Sequence, residues 1–414
     1  MSKNYELGDV KITSAVLTNA DGSSSYSFIG QLVSASVYED LEYPVIRMDI
    51  TLLDSINIID KLPIIGEEAI ELSFLAPYRD KPTTYKGYVY NIEGYETVPS
   101  GGGATYTLKC VSMEHKTNGS RTVDRVYEAN VDSIVKDILK NVIKTEKKLL
   151  VEETKGIQEV VIPKLAPYAA IDFLRQRAVA KRDSGGVFLF YENQDGLHFK
   201  TIESLVETGK TVKNSFEFTH SPVTAVAGME GYRVRNIIKF SQISRFDTAY
   251  KIAMGTFKTN VKSFDVLTKQ VNQQLFNLEN EARIFESGKS KNILSNTKNL
   301  LTEIDSKDPL TLFTALDSSK MNNFMAEYMS KKNSYINLFN QTVVRCLIYG
   351  DNFLAVGNPV TLHLPDASGT KDRSSEDKTN SGTYIVSKLR HMITLEDTKY
   401  KYHIAMDCNK VGLK

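Results

Sequence analysis

The sequence predicts a β-rich α+β protein, in which two antiparallel β units, barrels or sandwiches, flank an α+β unit. Three observations predict this fold class. Segments with a two-residue apolar period fill residues 1–112, a helical period begins at Asn130, and the two-residue period returns after residue 340. The predicted division, from first β unit to α+β domain, strands shared with the second β unit, helical and polar insertion, and second β unit, is 1–112, 113–214, 215–260, 261–340 and 341–414.

The first unit shows the strand pattern most clearly at residues 45–54. Ile46, Met48, Ile50 and Leu52 alternate there with polar residues, which predicts one buried and one solvated face. A similar strand is predicted at 67–74. A long tyrosine-rich hairpin follows at 84–112, broken by PSGGG at 99–103. Its glycines form a flexible tip and are the candidate docking residues, Gly101, Gly102 and Gly103.

The middle of the chain changes to helical spacing. Asn130 is a good N-cap for a helix whose buried side is Val131, Ile134, Val135, Ile138, Leu139 and Val142. Pro167 opens a second helix, predicted to end at 184–186. A hairpin over 187–201 is expected to turn at Asp195 and Gly196.

The last part returns to strands after an irregular region. Around 215–250 the alternation places Ile238 and Phe240 inward and Arg235 outward. We predict, in order, an amphipathic helix, a polar surface excursion, a further helix, four strands and a polar loop within them, at 265–285, 286–320, about 320–338, 343–407 and 366–382.

Composition excludes several classes of protein. The 414 residues hold 51 Lys and Arg against 50 Asp and Glu, a net charge of +1, so the basic excess of a general nucleic-acid binder is missing. Three cysteines without C-x-x-C spacing predict neither a disulfide framework nor a zinc site. The first residues show no secretory signal, and the apolar runs are far below the ~18–20 residues that span a bilayer. We expect a soluble protein made in the cytoplasm.

The search for catalytic motifs is negative. The sequence contains no G-x-S-x-G, no H-E-x-x-H, no Walker loop and no G-x-G-x-x-G between a strand and a helix. The six histidines are scattered singly, so no metal or cofactor site is predicted. Glu152 and Glu153 resemble a glycosidase carboxylate pair, but a solvated charged face explains them better. We therefore predict that the chain is not an enzyme and has no catalytic, metal or cofactor residues.

Two further segments have a binding interpretation beside a plain one. Basic and aromatic residues interleave at 231–245, as in single-strand binding sites, but an alternating strand explains them equally well. The predicted helix at 265–285 has a polar side of Asn272, Gln273, Gln274 and Asn277. It is a partner helix in one interpretation and packs on its own domain in the favoured one.

Three phrases resemble the baseplate hub proteins of contractile-tailed bacteriophages, and more distantly the hub part of type VI secretion spike proteins. The first is DSINIIDKLPIIGEEAIELSF at 54–74. The second is the Pro-led helix and GLHF hairpin at 164–205. The third joins VRCLIYGDNFLAVGNPVTLHLP at 344–365 with SGTYIVSKLRHMI at 381–393. The polar segments 286–320 and 366–382 have no counterpart in the resemblance.

The resemblance implies a non-enzymatic virion protein with two barrels like those of a tail tube. Such a hub is a homotrimer that joins the sixfold tail-tube ring to a threefold spike, with a central channel for the tape measure protein and for DNA that is not bound by sequence. It is assembled in the host cytoplasm and located in the tail baseplate, with no membrane insertion by this chain. Two alternatives stay open: a tail-associated glycan or peptidoglycan hydrolase, and a distal-tail or tube ring protein of a non-contractile particle.

Overall fold

A computed structural model describes most of the chain. The described residues are 6–62, 64–99, 101–182, 186–211, 216–219, 235–245, 247–278, 310–316, 325–364, 377 and 380–411. Within these ranges no helix is both long enough and apolar enough to cross a membrane.

Strands dominate the described residues. The strands are β1 (Asp9–Thr18), β2 (Ser25–Ser27), β3 (Leu32–Asp40), β4 (Tyr43–Asp54), β5 (Ala69–Leu75), β6 (Thr83–Thr97), β7 (Ala104–Ser112), β8 (Val123–Asn130), β9 (Leu149–Val151), β10 (Ile157–Leu165), β11 (Phe188–Asn193), β12 (Gly196–Thr201), β13 (Glu217–Thr219), β14 (Ile237–Arg245), β15 (Lys258–Asp265), β16 (Val271–Asn277), β17 (Leu310–Leu316), β18 (Thr342–Tyr349), β19 (Pro359–His363), β20 (Gly382–Glu396) and β21 (Lys399–Lys410). The helices are α1 (Ile58–Lys61), α2 (Met113–Ser120), α3 (Val131–Asp137), α4 (Pro167–Arg175), α5 (Ile202–Thr211), α6 (Thr248–Ala253) and α7 (Met325–Phe339). The predicted β-rich α+β fold class is confirmed.

The first ring of strands closes on itself. Its order is β3-β4-β7-β6-β5-β1-β21-β20, and β20 pairs again with β3. The apolar alternation of β4 explains its inner face, because Ile46, Met48, Ile50 and Leu52 are all buried, as predicted. The N-terminal unit is therefore a closed barrel that needs the last hairpin of the chain to close.

A second ring shares that hairpin. Its order is β20-β21-β18-β14, then β13 and β19, and β19 pairs back to β20. A bridge between Thr219 and Asn236 connects β13 to β14. A register shift after Val386 separates the part of β20 that pairs with β19 from the part that pairs with β3. The two rings are thus fused through β20 and β21, while the boundaries between the predicted domains stay a prediction.

The α+β unit lies beside the first ring. α3 begins after Asn130 and continues as a π-helical turn, Ile138–Ile143, with its apolar side buried as predicted. β11 and β12 form the predicted hairpin. The second helix is shorter than predicted and ends at Arg175, because the amides of Arg177 and Ala178 both bond to the carbonyl of Leu174 and turn the chain.

The helix predicted at 265–285 is wrong in its described part. Residues 266–268 form a turn, and Val271–Asn277 is a strand paired residue by residue with β15. Val271 and Leu275 are four residues apart, a spacing that places them on one side of a helix and also on one face of a strand. The apolar spacing alone therefore did not distinguish the two. Residues 279–285 lie outside the described residues.

Two further expectations need correction. Part of the predicted surface excursion, Leu310–Leu316, is a strand that pairs in parallel with β15, and α7 covers one side of this small sheet. In β14 Ile237 is buried and Ile238 is exposed, the reverse of the predicted alternation, because a bulge after Ile237 shifts the register. The rest of 286–320 and most of 366–382 lie outside the described residues.

Candidate functional site

The predicted docking tip joins β6 to β7. The amide of Val98 bonds to the carbonyl of Gly103 at 2.9 Å, and the amide of Gly101 bonds to Val98 at 3.0 Å. Gly103 has φ of +122°, and a Cβ there would overlap the carbonyl oxygen of Asp54. Gly101 and Gly102 are exposed, and a Cβ on Gly101 would meet only open space. Gly103 is thus required by the turn itself, and the other two glycines are available to a partner.

The hairpin stem projects beyond the first ring. The last residues of β6 are exposed on both faces, and Tyr95 stacks on Tyr106 of β7 with ring centroids 6.1 Å apart. Lys109 holds the stem to its neighbours, with Nζ 3.2 Å from Asp49 and 3.3 Å from Glu93. This arrangement presents the tip on an ordered base, as a docking element requires.

A chain of hydrogen bonds fills the interior of the first ring. Tyr85 Oη donates to Glu39 Oε1 at 3.0 Å, and His391 lies between Tyr85 and Tyr402, with Nε2 2.9 Å from Tyr85 Oη and Nδ1 2.6 Å from Tyr402 Oη. Glu39 Oε2 also accepts from the amide of Val356 at 3.0 Å. These residues come from β3, β6, β20 and β21, so the bonds cross the ring. The barrel interior is filled by side chains and is not a pore.

Burial controls the protonation of this chain. It raises the pKa of Glu39 to about 8 and lowers the pKa of His391 to about 3. The imidazole is therefore neutral, and since Tyr85 donates to Glu39, Nε2 of His391 donates to Tyr85 and Nδ1 accepts from Tyr402. Because the chain is enclosed, its chemistry holds strands together and is not offered to a substrate. Tyr85 and His391 both stand at inward positions of alternating strands, which is the sequence signal that could have found them.

A second polar cluster joins the first ring to the α+β unit. Lys147 Nζ lies 2.5 Å from both Glu114 Oε2 and Glu192 Oε1. Burial raises the pKa of Glu192, although Lys147 opposes this shift. An open cleft of about 230 Å³ lies beside the cluster, lined in part by Ile46, Thr84 and Asn193. The cleft is small and polar, and it marks the junction between the units.

The carboxylates considered for glycosidase chemistry have separate partners. Glu152 Oε2 accepts from the amide of Thr201 at 2.8 Å and from its hydroxyl at 2.9 Å. Glu153 is exposed and pairs with Lys181 at 2.7 Å. The first anchors a strand end and the second belongs to a solvated surface, as the favoured interpretation expects.

The histidines and cysteines pack as single residues. His198 stacks on Tyr191 with ring centroids 4.6 Å apart, and its Nε2 lies 2.7 Å from Asn193 Oδ1. The three cysteines are free and buried, and burial raises the pKa of Cys110 and Cys346. No group of three or more His, Cys, Asp or Glu in the described ranges is arranged to hold a metal ion. His220 lies outside the described residues.

The two segments with a binding interpretation are both strands. Of 231–245, the described part forms β14 and the turn before it, which supports the plain strand interpretation. Asn272, Gln273 and Gln274 lie on β16, so the partner-helix interpretation is wrong.

Comparison with known proteins gives structural matches only. No protein family and no curated protein matches the sequence. The tail protein from Neisseria meningitidis MC58 aligns over 96% of both chains, with a TM-score of 0.57 at 8% identity. The 43 kDa tail protein of prophage MuSo2 from Shewanella oneidensis covers 96% of this chain and 98% of its own, with a TM-score of 0.53 at 10% identity. A type VI secretion component of E. coli covers 97% of this chain and 76% of its own, with a TM-score of 0.45 at 10% identity.

The first two matches extend over nearly the whole chain in both directions, so they concern the complete arrangement of fused rings and α+β unit. At this level of identity they establish architecture and leave the individual side chains to each protein. The predicted resemblance is confirmed at the level of the fold: the chain has the fold of phage tail proteins such as the prophage MuSo2 protein.

Proposed function

We propose that the chain is a structural protein of a phage tail, specifically a baseplate hub that joins the tail tube to the central spike. The observation that carries the proposal is the pair of rings fused through β20 and β21. A hub must match a sixfold ring on one side and a threefold spike on the other. Three copies of a chain with two rings place six rings around one axis, which meets both symmetries.

The filled interior of the first ring supports a channel between subunits. Glu39, Tyr85 and His391 occupy the inside of that barrel, so neither DNA nor a tape measure protein passes through it. The channel in this proposal is the space around the threefold axis. A net charge of +1 suits a conduit that DNA crosses without being held.

The hub proposal assigns the partners and the place of the protein. One face of the trimer contacts the tail-tube ring through elements such as the tip Gly101–Gly103, and the other face contacts the spike. The chain is assembled in the host cytoplasm and ends in the tail baseplate. Its role is geometric, and no side chain is assigned a reaction.

The experiment is a mass measurement on the full-length chain, alone and coexpressed with its spike protein, combined with electron microscopy of the particles. The hub proposal expects three copies with six similar lobes around a central hole. A stable hexamer would refute it and favour a tube or distal-tail ring protein.

The tip is tested separately by replacing residues 99–102 with a shorter turn that keeps Gly103. The proposal expects loss of tube attachment with the trimer retained, because the rings are untouched. As a control, Gly22→Ala alters another exposed glycine turn at the surface of the same ring. Unchanged attachment of the shortened protein would remove the tip from the proposal.

A further inference from the structure

A two-stranded ribbon on the α+β unit has an apolar outer face. β8 and β10 pair with each other, and no third strand joins them within the described ranges. Val126 stands directly opposite Val161, and they are 66% and 61% exposed. Ile157, on the same face, is 56% exposed. The inner face is buried under α3, so the outer face is a patch of exposed aliphatic side chains.

The same outer face is acidic. Glu128 stands directly opposite Glu159, next to the valine pair, and both are exposed. Like charges at directly opposed positions destabilise a strand pair. A positive charge brought between them removes that cost. The ribbon face, defined as Val126, Glu128, Ile157, Glu159 and Val161, therefore fits an apolar surface with a basic centre.

The chain itself contains such a surface. In the sheet β16-β15-β17, α7 covers one face, and the other face carries Phe264, Val271, Leu275 and Phe313. Phe313 is 73% exposed and Val271 is 65% exposed. Lys262 lies at the centre of this face, because it pairs with Gln273 on one side and with Phe313 on the other. We call these five residues, Lys262, Phe264, Val271, Leu275 and Phe313, the sheet face.

We propose that the ribbon face of one copy packs on the sheet face of the next copy, with Lys262 placed between Glu128 and Glu159. Both faces are exposed within one chain, so each is available to a neighbour. Sheets with one covered face pack through the other, and the complementary charges set the register. The inference rests on the proposed trimeric hub and specifies its interface.

The contact joins two different surfaces, so it is heterologous. A heterologous contact forms a closed ring when its rotation closes, and a threefold ring is the assembly proposed for the hub. In such a ring every ribbon face and every sheet face is covered. A contact between two identical ribbon faces would instead bring four glutamates together, which charge repulsion opposes.

The first test exchanges the charges in the full-length chain. Glu128→Lys with Glu159→Lys, and separately Lys262→Glu, should each weaken self-association by at least about tenfold, or ~1.4 kcal/mol. The triple variant should recover association. Glu71→Lys with Lys86→Glu, an exposed pair on the first ring, is the matched control and should leave association unchanged. Thermal unfolding of each variant checks that the chain is folded.

The second test uses disulfide formation between two variants. Val161→Cys and Phe313→Cys chains should form a mixed disulfide faster than either forms one with itself, since the native cysteines are buried. Absence of the mixed disulfide overturns the interface, as do charge reversals that leave a trimer intact. A trimer that persists through those reversals still supports the hub function, whereas a chain that is a hexamer contradicts the hub itself. Disulfides that form only between like variants identify a symmetric contact and overturn the proposal.

Discussion

His391 and Tyr85 are joined by a hydrogen bond of 2.9 Å between Nε2 and Oη, inside the first ring. The two residues are more than 300 positions apart, on β20 and β6, and the ring exists only when the end of the chain returns to its beginning. Their contact therefore connects the two ends of the sequence through the barrel interior.

Removing the Tyr85 hydroxyl should destabilise the protein strongly. Tyr85→Phe leaves both Glu39 and His391 without a buried partner, and an unsatisfied buried polar group costs ~1–3 kcal/mol. The free energy of unfolding from urea titration should fall by an amount in that range. Tyr90→Phe, on the same strand but half exposed, is the control and should change it by less than ~0.5 kcal/mol. Equal effects in the two variants would contradict the role of the chain of hydrogen bonds.

Stability should fall as pH rises from 6.5 to 8. Glu39 has a pKa of about 8 when folded against 4.5 as its ordinary value, so between these values the folded protein holds a proton that the unfolded chain has lost. Its contribution is complete below 4.5 and is lost through 8. Glu203, with a pKa of about 7 from burial, acts in the same direction. His391, with a pKa of about 3, acts oppositely, and only below its ordinary value of 6.5.

The test of this dependence is chemical unfolding at several pH values. In Glu39→Gln the decrease between pH 6.5 and 8 should be smaller than in the wild type, because one of the two carboxyls is gone. Glu153→Gln is the control, since its pKa is lowered by Lys181 and it stays ionised throughout this range. An identical slope in wild type and Glu39→Gln would show that Glu39 does not bind the proton.

Gly103→Ala should disturb the hairpin more than Gly102→Ala. The first change places a Cβ against the Asp54 carbonyl at a φ of +122°, whereas Gly102 is exposed and does not have a positive φ. A strained backbone of this kind costs on the order of 1–3 kcal/mol. Limited proteolysis of the hairpin and the melting temperature should both detect the difference. Equal protection of the two variants would mean that the turn adapts to the added methyl group.

Lys147→Met should be much more costly than Lys181→Met. Lys147 stands between Glu114 and Glu192, which are 8% and 0% exposed, so its loss leaves two carboxylates together out of water. Breaking a buried ion pair in this way costs ~3–5 kcal/mol, while an exposed pair such as Lys181 with Glu153 contributes ~1 kcal/mol or less. Urea titration at neutral pH measures both. A small effect at Lys147 would show that water reaches the cluster.

Local patterns were sufficient for elements whose neighbours are close in sequence. The alternation at Ile46 to Leu52, the helix after Asn130 and the hairpin at Asp195 and Gly196 were all predictable. The strand at Val271–Asn277 was not, because its polar composition and four-residue spacing also suit a helix, and its pairing with β15 decides the outcome. The ribbon and sheet faces were missed because exposure depends on which side of each strand the rest of the chain covers.

The sequence by itself determined that this is a β-rich chain with an α+β unit at its centre, because periods of two and of 3.6 residues are local properties of side-chain burial. Only the tertiary structure decided that β20 and β21 belong to both rings, and that Glu39, Tyr85 and His391 meet inside one of them. Strand pairing is a contact between distant segments, and its partner is chosen by the packing of the whole barrel. The same packing removes Glu39 from water and thereby raises its pKa.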